Sequence, residues 1–189
     1  MNNINITRDD EELALRIVRE NITSYLNDKE YVPNAEFPEI FNEEMGVFVT
    51  LNKKGSLRGC IGYIEAYEPL IDALLDLSLA SAFDDPRFAP VTKEEINDIT
   101  IEISLLSKPQ LIKVNEYDEY LNQIEVGVDG LIIENGYYRG VFLPQVPIEQ
   151  NWNILQYLEN LGYKAGASAN LWKKESTKIY KFQAHVFEE

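Results

Sequence analysis

The stretch SLRGCIGYI at residues 56–64 holds the single cysteine of the chain in a setting that could do chemistry. Cys60 follows Arg58 by two residues and lies between Gly59 and Gly62. Alternate residues of a strand share a face, so the spacing predicts Arg58, Cys60 and Gly62 on one side. A guanidinium so placed would stabilise a thiolate. The two glycines would let a ligand or another backbone approach closely. That is a setting for a nucleophile, with Cys60 and Arg58 as candidate catalytic residues. The same residue types also fit packing, because a free cysteine behaves as a small hydrophobe and is often buried. No base stands out for Cys60. His185 is the sole imidazole, and alternation groups it with Gln183 and Phe187 on a closing strand.

Three further stretches could meet a ligand. SAFDDPRFAP crowds Asp84, Asp85 and Arg87 into a loop after an apolar helix. Arg87 could clamp an anion there, or the acids could cap a helix and form a surface ion pair of little energetic weight. FLPQVPIEQNW has Pro144 and Pro147 to stiffen the backbone, and Gln145, Glu149 and Trp152 to offer polar and aromatic surface at a helix start. The plainer reading of this stretch is a stiff connection with a core tryptophan. YKAG places Lys164 just past a helix end, where it can bond free carbonyls. The chain lacks a glycine-rich phosphate loop. One cysteine and one histidine leave no metal-ligand spacing and no disulfide framework.

These residues need elements to hold them. Residues 9–28 read as an amphipathic helix with Ala14, Ile17, Val18, Ile22, Tyr25 and Leu26 on one stripe. Thr7 and Asp10 form a capping-box pattern before it. YVPNAEFPEI, with two prolines, reads as extended. GVFVTLNKKGSLRGCIGYI reads as a hairpin turning at NKKG, where Gly55 can take positive φ. EPLIDALLDLSLASAF is a buried helix, DDPRFAP a loop, and TKEEIND a short helix opened by a Thr92–Glu95 capping pattern. ITIEISLLS alternates as a half-buried strand.

The second half repeats the order. GLIIENGYYRGVFLPQV is a hairpin turning at Asn-Gly. NWNILQYLENLG is a helix with Ile154, Leu155, Leu158 and Leu161 inward and Gly162 at its end. SANLWKK is a short helix and KIYKFQAHVF a closing strand. Both hairpins carry Gly-x-x-Arg-Gly, at 55–59 and 136–140. The expectation is an α+β fold with an internal duplication. Two hairpin–helix–helix–strand units, at about 46–107 and 127–188, would pack as one domain over residues 1–189, with the N-terminal helix added. Val141 stands in the second unit where Cys60 stands in the first.

The chain has 189 residues, with 32 acidic against 17 basic ones and a net charge of −15. Such a surface repels nucleic-acid phosphates and anionic lipid, so neither partner is expected. The start, MNNINITRDD, reads as no signal peptide. No apolar run approaches the ~20 residues of a membrane span. A cytoplasmic location is expected.

Taken together and in order, LRGCIG at 57–62, SAFDDPRFAPVT, VGVDGLII, LPQVPIEQNW and YKAG resemble the AMMECR-type domain family, whose bacterial and archaeal members are called AmmeMemoRadiSam system protein A. The likeness runs from about residue 10 to the C-terminus. It implies an α+β fold of two repeated units and two companions, a Memo-like protein and a radical SAM enzyme. It puts weight on Arg58, Cys60, Asp85, Arg87, Pro144, Glu149, Trp152 and Lys164, which occupy its motif positions. Gly162 and His185 match no hallmark. It implies no established reaction and names no cofactor. Two expectations follow. One is a small-ligand-binding protein or enzyme using Cys60 and Arg58, with Asp85, Arg87, Gln145, Glu149, Trp152 and Lys164 on the ligand. The other is a non-enzymatic adaptor.

Overall fold

The computed structural model describes residues 4–33 and 36–189. The first three residues of the chain and the middle of the extended segment at 31–40 lie outside the described residues. The chain adopts the expected α+β class and divides into two compact units, 1–106 with 185–189, and 107–184.

Unit 1 begins with helix α1, Arg8–Leu26, started by the Thr7–Asp10 capping box. Its stripe of Ala14, Ile17, Val18 and Ile22 is buried, while Tyr25 stays exposed. Strands β1, Gly46–Lys53, and β2, Ser56–Tyr63, form the expected hairpin. Helix α2, Leu70–Leu79, packs on them and runs directly into a π-helical turn at Ala80–Asp84. Strand β3, Ile99–Leu106, pairs antiparallel with β1. Val47, Val49 and Leu51 of β1 and Ile101, Ile103 and Leu105 of β3 face one core with α1 and α2.

Unit 2 opens with β4, Gln110–Leu111, and a short helix α3, Tyr120–Gln123. The hairpin of β5, Gly130–Asn135, and β6, Tyr138–Phe142, follows. After it come the one-turn helix α4, Val146–Glu149, and helix α5, Ile154–Lys164. Strand β7, Lys178–Phe182, pairs with β5 and β4. Leu131, Ile133, Tyr157, Leu158, Leu161, Trp172 and Ile179 form the core of this unit.

The last strand, β8, Ala184–Glu188, joins the first sheet, whose order is β2-β1-β3-β8; the second is β4-β7-β5-β6. In each unit the closing strand pairs with the first strand of the hairpin.

Four local expectations are corrected. The closing strand KIYKFQAHVF is two strands broken at Gln183, serving different sheets. The Thr92–Glu95 pattern does not start an α-helix; only a 3-10 turn forms, at Ile96–Asp98. Gly162 is inside α5, where an added Cβ would meet the Ser168 carbonyl oxygen at 2.5 Å; the helix ends beyond it, before Gly166 at φ +80°. Leu155 is exposed, and Tyr157 takes the buried place beside Leu158 and Leu161, which are buried as expected. The sequence marks Gly162 alone as the helix end; the packing of Ser168 against it keeps it inside the helix, and Gly166 takes the positive φ instead.

Candidate functional site

Strand β2 is an edge strand, so one row of its main-chain groups has no strand partner. Cys60 pairs across the sheet with Thr50 of β1, and the Thr50 hydroxyl donates to Cys60 Sγ at 3.3 Å. On the open side, the Cys60 N–H donates to Asp85 Oδ2 at 2.9 Å. The Cys60 carbonyl accepts from Arg87 Nη2 at 3.0 Å. Asp85 and Arg87 thus stand in for a neighbouring strand at one residue of an exposed edge.

The Asp85 side chain is 2% exposed. Its Oδ1 accepts from Arg87 N at 3.1 Å and Arg87 Nε at 2.9 Å. Its Oδ2 accepts from Arg87 Nη2 at 2.6 Å and from Cys60 N. A carboxylate has about four lone-pair sites, and all are filled. The hydrogen bonds from Arg87 hold the Asp85 carboxyl well below the usual carboxylate range, against the opposing pull of burial. The same bond raises Arg87, with a smaller contribution from Cys60. Arg87 itself is 54% exposed. Its Nη1 makes no hydrogen bond among the described residues.

The π-helical turn at 80–84 makes this arrangement possible. It delivers Asp85 to β2 and brings the Ser81 carbonyl over Gly59, where an ideal Cβ would lie 2.1 Å from that oxygen. Gly62 similarly faces the Phe48 ring, 2.3 Å from an ideal Cβ. The glycines around Cys60 therefore make room for the protein's own atoms. Single π turns inside helices recur at functional sites.

Arg58 is placed differently from the expectation. The register slips at the hairpin's inner end: Gly59 pairs with Leu51 and Leu57 with Asn52, leaving Arg58 as the extra residue of a bulge. The simple alternation that would set Arg58 beside Cys60 is interrupted there. Its guanidinium bonds Glu95 through Nη2–Oε1 at 2.7 Å and Nε–Oε2 at 3.2 Å. Lys53 donates to the same carboxylate at 2.7 Å and the Thr92 N–H at 3.1 Å. The bond from Arg58 first, then those from Lys53 and Thr92, pull Glu95 down to about 2. Arg58 Nη1 is buried with no hydrogen-bond partner among the described residues. The Phe88 ring sits beside both guanidiniums, 5.9 Å from that of Arg58 and 5.5 Å from that of Arg87.

Gln145, Glu149, Trp152 and Lys164 lie in unit 2. Trp152 meets the Phe142 ring at 5.4 Å, and Lys164 Nζ lies 5.7 Å from the centre of the same ring. Gln145 and Glu149 are exposed on α4, and their side chains make no hydrogen bond among the described residues. His185 pairs with Glu11 at 2.6 Å. Among the described residues no cluster of three or more His, Cys, Asp or Glu could hold a metal.

Glu95, Thr50 and Phe88 were missed by the sequence reading. Glu95 did carry a signal, the Thr92–Glu95 spacing, and the Thr92 bond is real. Its second role as counter-ion to Arg58 has no local trace, since 37 residues separate the two. Thr50 and Phe88 are found only once the hairpin register and the 85–88 turn are known.

A family model described as AMMECR1 matches residues 15–187. Protein MJ0810 of Methanocaldococcus jannaschii is 47% identical over 186 residues, 97% of this chain and 92% of that protein. A protein of Methanococcus aeolicus is 49% identical over 180 residues, 94% and 90% of the two chains. The crystal structure of the uncharacterized protein PH0010 from Pyrococcus horikoshii superposes with a TM-score of 0.87 at 42% identity, over 98% of this chain and 94% of that one.

Proposed function

The chain belongs to the AMMECR1 family, and on that premise we propose that it is a small-ligand-binding protein whose centre is Cys60 with Arg87. Arg87 takes an acidic group of the ligand and Cys60 presents its thiol to the bound molecule. Arg58 is a positioning residue in this reading: it ties the hairpin end to Glu95 and supports Phe88. The observation that carries it is the state of Arg87. Its Nε and Nη2 are fixed by Asp85 and the Cys60 carbonyl, while Nη1 makes no hydrogen bond among the described residues and the side chain as a whole is 54% exposed. A guanidinium held on one side and open on the other is pre-organised for a carboxylate or phosphate. Trp152, Lys164, Gln145 and Glu149 form a separate candidate ligand-binding group within unit 2 in this proposal. In this proposal the protein works with Memo-like and radical SAM companions, as the family resemblance implies, and in the cytoplasm, as expected from the sequence. The repeated strand pairing of the two units supports an origin by duplication within one domain.

The test is complementation in a cell that depends on the gene, or an assay of the companion enzyme, with Cys60→Ser and Arg87→Gln. Cys60→Ser is expected to lose function while keeping the wild-type melting temperature within a few degrees, and Arg87→Gln to lose function with a lowered melting temperature, because it strips the buried Asp85 carboxylate of its guanidinium donors. Full function in Cys60→Ser removes the thiol from the proposal.

A second reading, a non-enzymatic adaptor, is favoured by one observation. Asp85 and Arg87 bond the main chain of Cys60, which serves a scaffold as well as a site. Co-purification with a Memo-like or radical SAM protein that survives Cys60→Ser and Arg87→Gln together would favour it.

A further inference from the structure

Unit 2 contains a cavity of about 730 Å³ lined by residues 111–117, Tyr120 and residues 172–175, 177 and 178. We propose that it binds a small anionic molecule with a flat aromatic body, of mononucleotide size. Three observations support this. The first is charge. Lys113, Lys173, Lys174 and Lys178 line the cavity with only Glu116 and Glu175 against them, whereas acids outnumber bases 32 to 17 in the whole chain. None of the four lysines is in an ion pair among the described residues. On so acidic a protein, four unpaired ammoniums around one concavity make a local anion trap.

The second is Trp172. Its side chain is buried, 2% exposed, and its Nε1–H has no acceptor among the described residues. A buried indole N–H normally finds a partner, and this one belongs to a residue that lines the cavity. The third is the apolar wall. The Tyr117 ring meets the Trp172 indole edge-to-face at 5.6 Å, and Lys173 Nζ lies 5.1 Å from the indole centre. Tyr117 is 47% exposed, leaving an aromatic surface open to stack on a flat ring. The volume falls within the ~300–1,000 Å³ typical of small-molecule sites. The wall is also fixed in place: Thr177 donates to the Leu171 carbonyl at 2.7 Å and accepts from Asn135 at 2.8 Å.

Titration calorimetry of the full chain with AMP, 4-nitrophenyl phosphate, adenosine and inorganic phosphate tests this. AMP or 4-nitrophenyl phosphate is expected to bind saturably, with adenosine and phosphate each weaker by about tenfold or more. The Lys173→Ala/Lys178→Ala double variant is expected to weaken binding by about tenfold with an unchanged melting temperature. In ¹⁵N-labelled protein the Trp172 indole signal is expected to shift on binding, and Trp172→Phe or Trp152→Phe assigns the two indole peaks. The proposal is overturned by no saturable heat with either aromatic phosphate up to about 5 mM. Phosphate binding as well as AMP, indifference to the lysine substitutions, or a shift confined to Trp152 would each overturn it too.

Discussion

Asp85 is a buried carboxylate with every acceptor site filled, and three of its four donors belong to Arg87. Burial of an ion is tolerated only with such pairing. Asp85→Asn places an amide among donors and removes the charge beside Arg87. A loss of about 3 kcal/mol in denaturant unfolding is expected, together with a changed rate of Cys60 alkylation by iodoacetamide, since the Cys60 main chain loses its anchor. Unchanged stability would mean that Arg87 and Cys60 are held by other contacts. Glu95 makes a pH-dependent contribution. It is held at about 2 against an ordinary 4.5, so its pairing stabilises the fold fully above that ordinary value. The contribution is lost as pH falls through about 2. The stability difference between the wild type and Glu95→Gln is therefore expected to be constant near neutrality and to shrink as the solution is acidified below pH 4.5. A difference that grows on acidification would contradict the Arg58–Glu95 assignment.

At the scale of elements, the hairpin β1–β2 and the π turn after α2 form one device. The bulge at Arg58 re-aims that side chain toward Glu95, and Gly59 next to it accepts the Ser81 carbonyl. Two glycines of the same hairpin therefore differ in cost. Gly59→Ala forces a Cβ into a backbone oxygen and is expected to destabilise by about 2 kcal/mol or more. Gly55→Ala meets nothing within 4 Å but must hold φ at +77°, with an expected cost of about 1 kcal/mol. Thermal melts of the two variants read the order directly, and the reverse order would show that the π turn yields easily. The hairpin itself was legible from Gly55 and the alternation of Val47, Val49 and Leu51. The π turn was not, because SAFD continues the apolar helical pattern without a break; its register changes only where Asp85 reaches the open edge of β2.

For the whole molecule, the net charge of −15 is the dominant long-range term. Self-repulsion of that size opposes compaction and is screened by salt. Raising sodium chloride from about 0.02 to about 0.5 M at pH 7 is expected to raise the melting temperature; a fall would show that ion pairs such as Arg58–Glu95 outweigh the repulsion. Among the described residues no helix is long and apolar enough to cross a membrane. What the chain shows without its fold is set by neighbours within a few residues: the Thr7–Asp10 box of α1, the period-2 strands, the two Gly-x-x-Arg-Gly turns and the acidity. These depend on local dihedrals and side-chain period, which a linear reading contains. The site belongs to the other class. Asp85 reaches Cys60 across 25 residues and Glu95 reaches Arg58 across 37. The cavity in unit 2 joins residues 111–117 to residues 172–178. Which side chain completes a strand's open edge, and which lysines line one cavity, depends on how the elements pack together, and sequence spacing carries no record of that.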